Sequence, residues 1–156
     1  MKSRFAFVTC LALLAISFPA NARANNPHFV PFKGSWAGAT VSAVPTDDPA
    51  IVAVVTAGDG VATHLGHFTM VSPHNSHLDT LAADGLQLFE AANGDQLTAE
   101  FTGQFMPTPD GFLEGVLDCT VTGGTGRFAG VRGSYVEREA KDGGQGAIEF
   151  ALDLSL

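Results

Sequence analysis

The chain has 156 residues, 8 of them Lys or Arg and 16 Asp or Glu, for a net charge of −8. That length suits one domain of ordinary size, able to bury a core without disulfide staples. The acidic balance repels phosphate backbones and anionic bilayers, which excludes nucleic-acid binding and membrane-surface attachment.

Residues 1–24 read as a secretory signal. Lys2 and Arg4 supply a positive start, and an apolar run from Phe5 to Phe18 is broken only by Thr9 and Ser17. Pro19 ends the run, and Ala20-Asn21-Ala22 offers the small-x-small pattern of a cleavage site, with Ala22-Arg23-Ala24 as a second. The run falls short of the roughly 20 apolar residues that cross a bilayer. No other stretch is apolar enough to span one. The expectation is a cleaved signal and a secreted or periplasmic protein. Cleavage removes Lys2, Arg4 and Arg23, leaving 5 basic against 16 acidic residues, a net charge of −11. It also leaves Cys119 as the one cysteine, so no disulfide forms within the chain. Cys119 lies in an apolar run, which predicts a buried small hydrophobe rather than a reactive thiol.

Residues 25–31 read as an N-terminal tail, and residues 32–156 as the folded domain. Apolar residues in that domain recur with period two, not 3.6, so strands are expected and helices are not. In chain order the expected strands are 32–44, 50–57, 61–71, 85–91, 95–105, 111–122, 131–139 and 148–156. Residues 72–84, with Ser72-Pro73-His74-Asn75-Ser76-His77, are the least regular stretch and read as a long loop. Asn93-Gly94 tolerates the positive φ angles of a tight turn, so 85–91 and 95–105 form an antiparallel hairpin. In 95–105, Leu97, Ala99, Phe101, Gly103 and Phe105 alternate with Thr98, Glu100, Thr102 and Gln104. The final strand shows the cleanest alternation, with Ile148, Phe150, Leu152, Leu154 and Leu156 on one face. About eight strands at regular spacing predict a barrel or a two-sheet β-sandwich.

Two segments carry a resemblance. Val121 to Gly133, with Gly123-Gly124-Thr125-Gly126-Arg127-Phe128 at its centre, resembles the Gly-rich turn of allene oxide cyclases and plant dirigent proteins. Ala62-Thr63-His64-Leu65-Gly66-His67-Phe68-Thr69 is similar to a segment in secreted bacterial proteins that share the turn. The resemblance implies an eight-stranded antiparallel β-barrel of the calycin kind, often a homotrimer, with an apolar cavity. It implies no metal and no organic cofactor. The matched motif is a turn, so it carries fold rather than chemistry. Gly123, Gly124 and Gly126 read as positions of unusual backbone freedom, and Phe128 as a plug for one barrel end. A phosphate-cradling reading of the glycines fails, because no Gly-Lys-Ser/Thr ending follows.

Three side chains stand out as candidate catalytic groups: His64, Glu100 and Glu114. A carboxylate or imidazole beside an apolar cavity is what a general acid or base requires. Glu100 opposes the aromatic face of its strand, which predicts that it faces solvent unless the lumen is wet. His64 and His67, like His74 and His77, are three apart. In the expected strand 61–71 that spacing puts His64 and His67 on opposite faces, and His74 and His77 fall in the expected loop as solvated side chains, so no metal site is expected. No Gly-x-Ser-x-Gly is present, and nucleophilic catalysis has no support. The leading functional expectation is a non-catalytic barrel that takes an apolar small molecule, a lipid or a phenolic, into its lumen. The alternatives are a cofactor-free cyclase or isomerase resembling allene oxide cyclase, and a structural exported barrel.

Overall fold

The computed structural model describes the backbone of residues 29–142 and 145–155 and the side chains of residues 30–140. Its strands are β1 (Phe29–Pro45), β2 (Ile51–Ala62), β3 (Gly66–His77), β4 (Ala82–Ala91), β5 (Gln96–Pro107), β6 (Leu113–Gly124), β7 (Arg132–Asp142) and β8 (Gln145–Ser155). Each pairs antiparallel with its neighbours in sequence, and β8 also pairs with β1, so the sheet closes on itself. Closure removes the unpaired edges that an open sheet exposes. The all-β barrel expectation is met. The two-sheet sandwich is not, because one continuous ladder surrounds one core.

Several boundaries differ from the sequence reading: β2 runs to Ala62 instead of ending at 57, β3 starts at Gly66 instead of 61, and two stretches take a different kind of structure. The tail assigned to 25–31 ends early: β1 starts at Phe29, and Phe29, Val30 and Pro31 stand opposite Ser155, Leu154 and Asp153 of β8. The loop assigned to 72–84 is mostly strand. Its residues extend β3 to His77 and start β4 at Ala82, leaving a short turn between. The misreading has a physical cause. Ser72 and His74 point inward, so the inner face of β3 is polar there and the apolar alternation stops while the strand continues. Pro73 removes one donor, and the β3–β4 ladder skips from Val71 opposite Leu88 to His74 opposite Gly85 without changing register. The signal assigned to 1–24 lies outside the described residues, as do the side chains of the last strand.

The lumen has two unlike ends. At the end carrying the β2–β3, β4–β5 and β6–β7 turns, Phe32, Leu65, Phe68, Phe89, Leu97, Val121, Phe128 and Val131 form an apolar plug. Phe68 and Phe89 meet edge to face, with ring centroids 5.3 Å apart. The Gly-rich turn holds Phe128 in place. Thr125 N–H donates to Gln96 O at 2.8 Å, and Gln96 N–H donates back to Thr125 Oγ1 at 2.9 Å. Gly126 has φ +56°, and a Cβ there would overlap the Asp95 carboxylate. That carboxylate takes Arg127 Nε at 3.2 Å. Gly124 is required for space instead: a Cβ would lie 2.4 Å from Gln96 O. Gly123 differs from both. A Cβ there meets nothing closer than Arg132 at 3.8 Å, and its φ is not positive, so unusual backbone freedom is not used at this position.

Candidate functional site in the barrel lumen

The middle of the lumen and the end opposite the plug are lined by polar side chains. The network begins at Trp36, on β1. Its ring lies against a wall of glycines, where a Cβ on Gly38 or Gly58 would come within 2.5 or 2.8 Å of the ring, and one on Gly60 within 2.6 Å of Trp36 Cβ. Only glycine leaves room for the indole to lie flat on the β1–β2 wall. So placed, Trp36 Nε1–H donates to Glu137 Oε1 at 3.2 Å. Gln87 Nε2–H donates to the other carboxylate oxygen, Oε2, at 2.6 Å. Tyr135 O–H donates to Gln87 Oε1. Tyr135 stands opposite Cys119 across the β6–β7 ladder, and the Cys119 thiol donates to Leu117 O at 3.8 Å.

Glu137 is 0% exposed. A buried carboxylate costs several kcal/mol of desolvation unless hydrogen bonds replace its water. Here both oxygens receive an N–H. The neighbouring acids feel the same surroundings. Burial pushes the Cys119 thiol well above its ordinary range, and Glu137 adds to the shift. Burial likewise raises the Tyr135 phenol, with Cys119 and Glu137 as further causes. Both groups stay protonated at neutral pH. Tyr135 is therefore held as a hydrogen-bond donor, and Cys119 is not a nucleophile.

One step toward the open rim along the same face of β7 is Glu139, also buried. Across the lumen from it are Thr56 on β2 and Ser72 and His74 on β3. His74 Nδ1–H donates to Ser72 O at 3.0 Å, which fixes the ring. The ring sits 5.9 Å from that of Phe101. These groups surround a void of about 10 Å³, covered by Phe101, Phe105 and Leu117. A cavity for a small organic molecule measures roughly 300–1,000 Å³, so this void alone is too small for one, while a separate open space of about 860 Å³ borders Trp36, Gly60, Glu114, Gly115 and Glu139.

The residues singled out in the sequence lie elsewhere. His64 occupies the β2–β3 turn, exposed, with φ +66°. Glu100 is exposed on the outer wall, opposite Leu86 and Thr120, because its neighbours Ala99 and Phe101 take the inward positions. Glu114 is exposed on the outer wall of β6, with Gly115 inward. None of the three reaches the lumen, and no two of them come together. The histidines are also dispersed. His67 faces outward, His74 faces inward, and His77 Nε2 pairs with Asp84 Oδ1 at 2.6 Å. Among the described residues, no three potential metal ligands cluster.

The groups that do line the lumen escaped sequence reading. One signal was present: Val131, Tyr135, Glu137 and Glu139 share parity along one strand, so two apolar anchors place both acids on the inner face. A second was Gly34-Ser35-Trp36-Ala37-Gly38, an aromatic flanked at i±2 by glycines.

No protein-family model matches the chain, and no curated protein does. Solved structures do match it. The pterocarpan synthase dirigent protein GePTS1 shares 15% identity, covers 82% of this chain and 84% of its own length, and has a TM-score of 0.55. The pterocarpan synthase dirigent protein PsPTS1 shares 14% identity over 82% of this chain and 95% of its own, with a TM-score of 0.56. At such identity the likeness is one of fold, and the fold of this chain is dirigent-like.

Proposed function

From the dirigent-like barrel and its polar lumen we propose that the protein is an exported, non-catalytic barrel that binds a small molecule with an aromatic or aliphatic body and one hydrogen-bonding head. One observation carries this reading: Thr56, Ser72, His74, Gln87, Glu137 and Glu139 are all buried in the middle and rim side of the lumen. Each polar group buried there costs free energy that a Leu or Phe would not. A barrel serving only as a rigid body gains nothing from them. The apolar plug at the other end supplies the stability that offsets them. A phenolic fits better than a plain lipid, because a phenol places its one polar atom at the tip of an apolar ring.

The small size of the void beside Thr56 sets a condition on binding there: Phe101 and Phe105, which cover it, must turn aside to admit a ring. Trp36 is the single tryptophan and sits within the site, so its fluorescence reads occupancy directly. Titration with 4-propylphenol is expected to change Trp36 emission saturably, and decanoic acid to change it less. No saturable change with either compound, together with no co-purifying small molecule in native mass spectrometry, would overturn the reading. The same spectra test two associated expectations, a mature chain beginning after residue 24 and a homotrimer of calycin-type eight-stranded barrels. Support for assembly comes from Val71, Leu86 and Leu88, which are exposed near one another on the outer wall.

A second reading, a cofactor-free cyclase or isomerase, is favoured by the Glu137–Gln87–Tyr135 chain, which places a carboxylate near a phenol O–H. Glu137→Gln separates the two: loss of turnover with retained binding would favour the enzyme.

A further inference from the structure

Thr56 singles out one point in the lumen. Its side chain is 7% exposed, yet Oγ1 has no hydrogen-bond partner. Buried hydroxyls are nearly always bonded, because an unmade bond costs about 1–3 kcal/mol. The same side chain lines the void of about 10 Å³. That volume matches what one water molecule needs, roughly 10–15 Å³ of space for its centre. The other walls are mixed. Ser72, His74 and Glu139 are polar, while Ala83, Phe101, Phe105 and Leu117 are apolar. A water in such a place needs two to four polar partners, and these residues supply them.

We propose that this void is a seat for a single hydroxyl-sized group: one ordered water in the empty protein, and the head of the ligand in the occupied one. The first half stands on the geometry alone. The second half rests on the ligand-binding reading above and makes it more specific, because it names a hydroxyl as the head and Thr56 as the residue that selects it. The seat's cover on the side away from the polar groups is formed by Phe101 and Phe105. A phenol whose hydroxyl reaches the seat therefore carries its ring outward, where those two rings stand. Displacement of an ordered water is favourable when the incoming group remakes its hydrogen bonds, and unfavourable when it does not. A hydroxyl remakes them with Thr56; a methyl group does not. A site built around a hydroxyl rejects the analogue lacking it far better than an apolar pocket rejects an added one.

The test uses the mature chain and Thr56→Val, which keeps the branched shape while removing the hydroxyl. A crystal structure beyond about 1.5 Å, or water–protein nuclear Overhauser effects, is expected to place one water within hydrogen-bonding distance of Thr56 Oγ1. Thr56→Val is expected to lose that water and keep the fold. For binding, 4-propylphenol is compared with propylbenzene by Trp36 fluorescence. The phenol is expected to bind the unaltered protein about tenfold more tightly than propylbenzene, and Thr56→Val to remove that preference without weakening propylbenzene. The outcomes separate the claims. An empty void beside Thr56 overturns the water seat. Binding of both compounds with equal affinity overturns the hydroxyl head while leaving ligand binding in place. Binding of neither overturns the occupied half along with the ligand-binding reading, and leaves the water seat to be judged by the density at Thr56.

Discussion

The two ends of one lumen follow opposite rules. The plugged end is a packed apolar core, with Phe128 lowered into it by a Gly-rich turn and Phe32, Phe68 and Phe89 around it. The rim side uses the same backbone, the same ladder and the same alternation, but places Glu137, Glu139, His74 and Gln87 at inward positions. In the first region the fold sets the side chains, because any apolar residues of the right volume would do. In the second, specific hydrogen bonds set them: Trp36 and Gln87 donate to Glu137, and Tyr135 donates to Gln87. Stability therefore comes mainly from one end, and the specificity of the molecule from the other.

Phe128→Ala is the strongest way to test that division. The ring is almost fully buried, and the turn that carries it is tied to Gln96 and Asp95, so the neighbours cannot collapse into the space. Urea unfolding is expected to show a loss of about 3–5 kcal/mol, with the near-ultraviolet signal of Trp36 in the remaining folded protein unchanged. A loss under about 1 kcal/mol would mean that the plug is not where stability resides.

The polar region should answer differently to one change and to several. Glu137→Met removes the acceptor from Trp36 Nε1–H and Gln87 Nε2–H. Leaving buried donors without acceptors is expected to cost about 2–4 kcal/mol in thermal or urea unfolding. Replacing the whole network, Trp36→Phe, Gln87→Leu, Tyr135→Phe and Glu137→Met together, is expected to recover most of that loss. Apolar replacement of a complete buried polar set is often neutral or stabilising by about 1–4 kcal/mol. Strict additivity, with the quadruple variant far less stable than the single one, would show that the network itself holds the barrel together.

Much of the barrel was legible in the sequence. Strands with an apolar inner face, such as β5, announce themselves by period two, and turns announce themselves by Asn93-Gly94 or Gly124–Gly126. The site was not legible for the same reason that the barrel was. A reading that equates apolar with inside must send Glu137 and Glu139 outward and end β3 at Ser72. It also turns attention to Glu100 and Glu114, which sit on the outer wall. Parity with Val131 and Tyr135, not the hydropathy of the acids themselves, decides the facing of β7, and the closed ladder bears that parity out. Trp36 is a further case: its ring position depends on Gly58 and Gly60 on another strand, a pairing that a linear reading does not contain.

A smaller effect should appear at high pH. Cys119 and Tyr135 have their folded-state pKa values raised, mainly by burial. A raised acid stays protonated in the native state while the unfolded chain ionises. The unfolded chain then binds fewer protons, and stability falls as pH rises. The decline is expected to begin near the unfolded thiol pKa of about 8.5 and to steepen near that of tyrosine, about 10. Tyr135→Phe is expected to flatten the upper part of the curve, although it lowers stability at neutral pH by removing the bond to Gln87. A thiol reagent at pH 8.5 should leave Cys119 unmodified in the folded protein and modify it at once in urea. Rapid labelling without denaturant would show that the middle of the lumen is open to solvent.

The smallest expected effect separates residues within one motif. Gly123, Gly124 and Gly126 look alike in sequence, but the structure uses them for different ends. At Gly126 an added methyl meets the Asp95 carboxylate on a left-handed backbone, and at Gly124 it meets Gln96 O. At Gly123 it meets only ordinary contact with Arg132. Gly123→Ala should therefore be neutral or stabilising by about 0.5 kcal/mol, since alanine restricts the unfolded chain without straining the folded one. Urea midpoints for the alanine variants at the three positions measure this directly. If Gly123→Ala costs as much as the other two, the motif acts as a flexible unit. If it does not, two of the three glycines suffice to hold Phe128 in the barrel end, and Gly123 is available to change without loss of the plug.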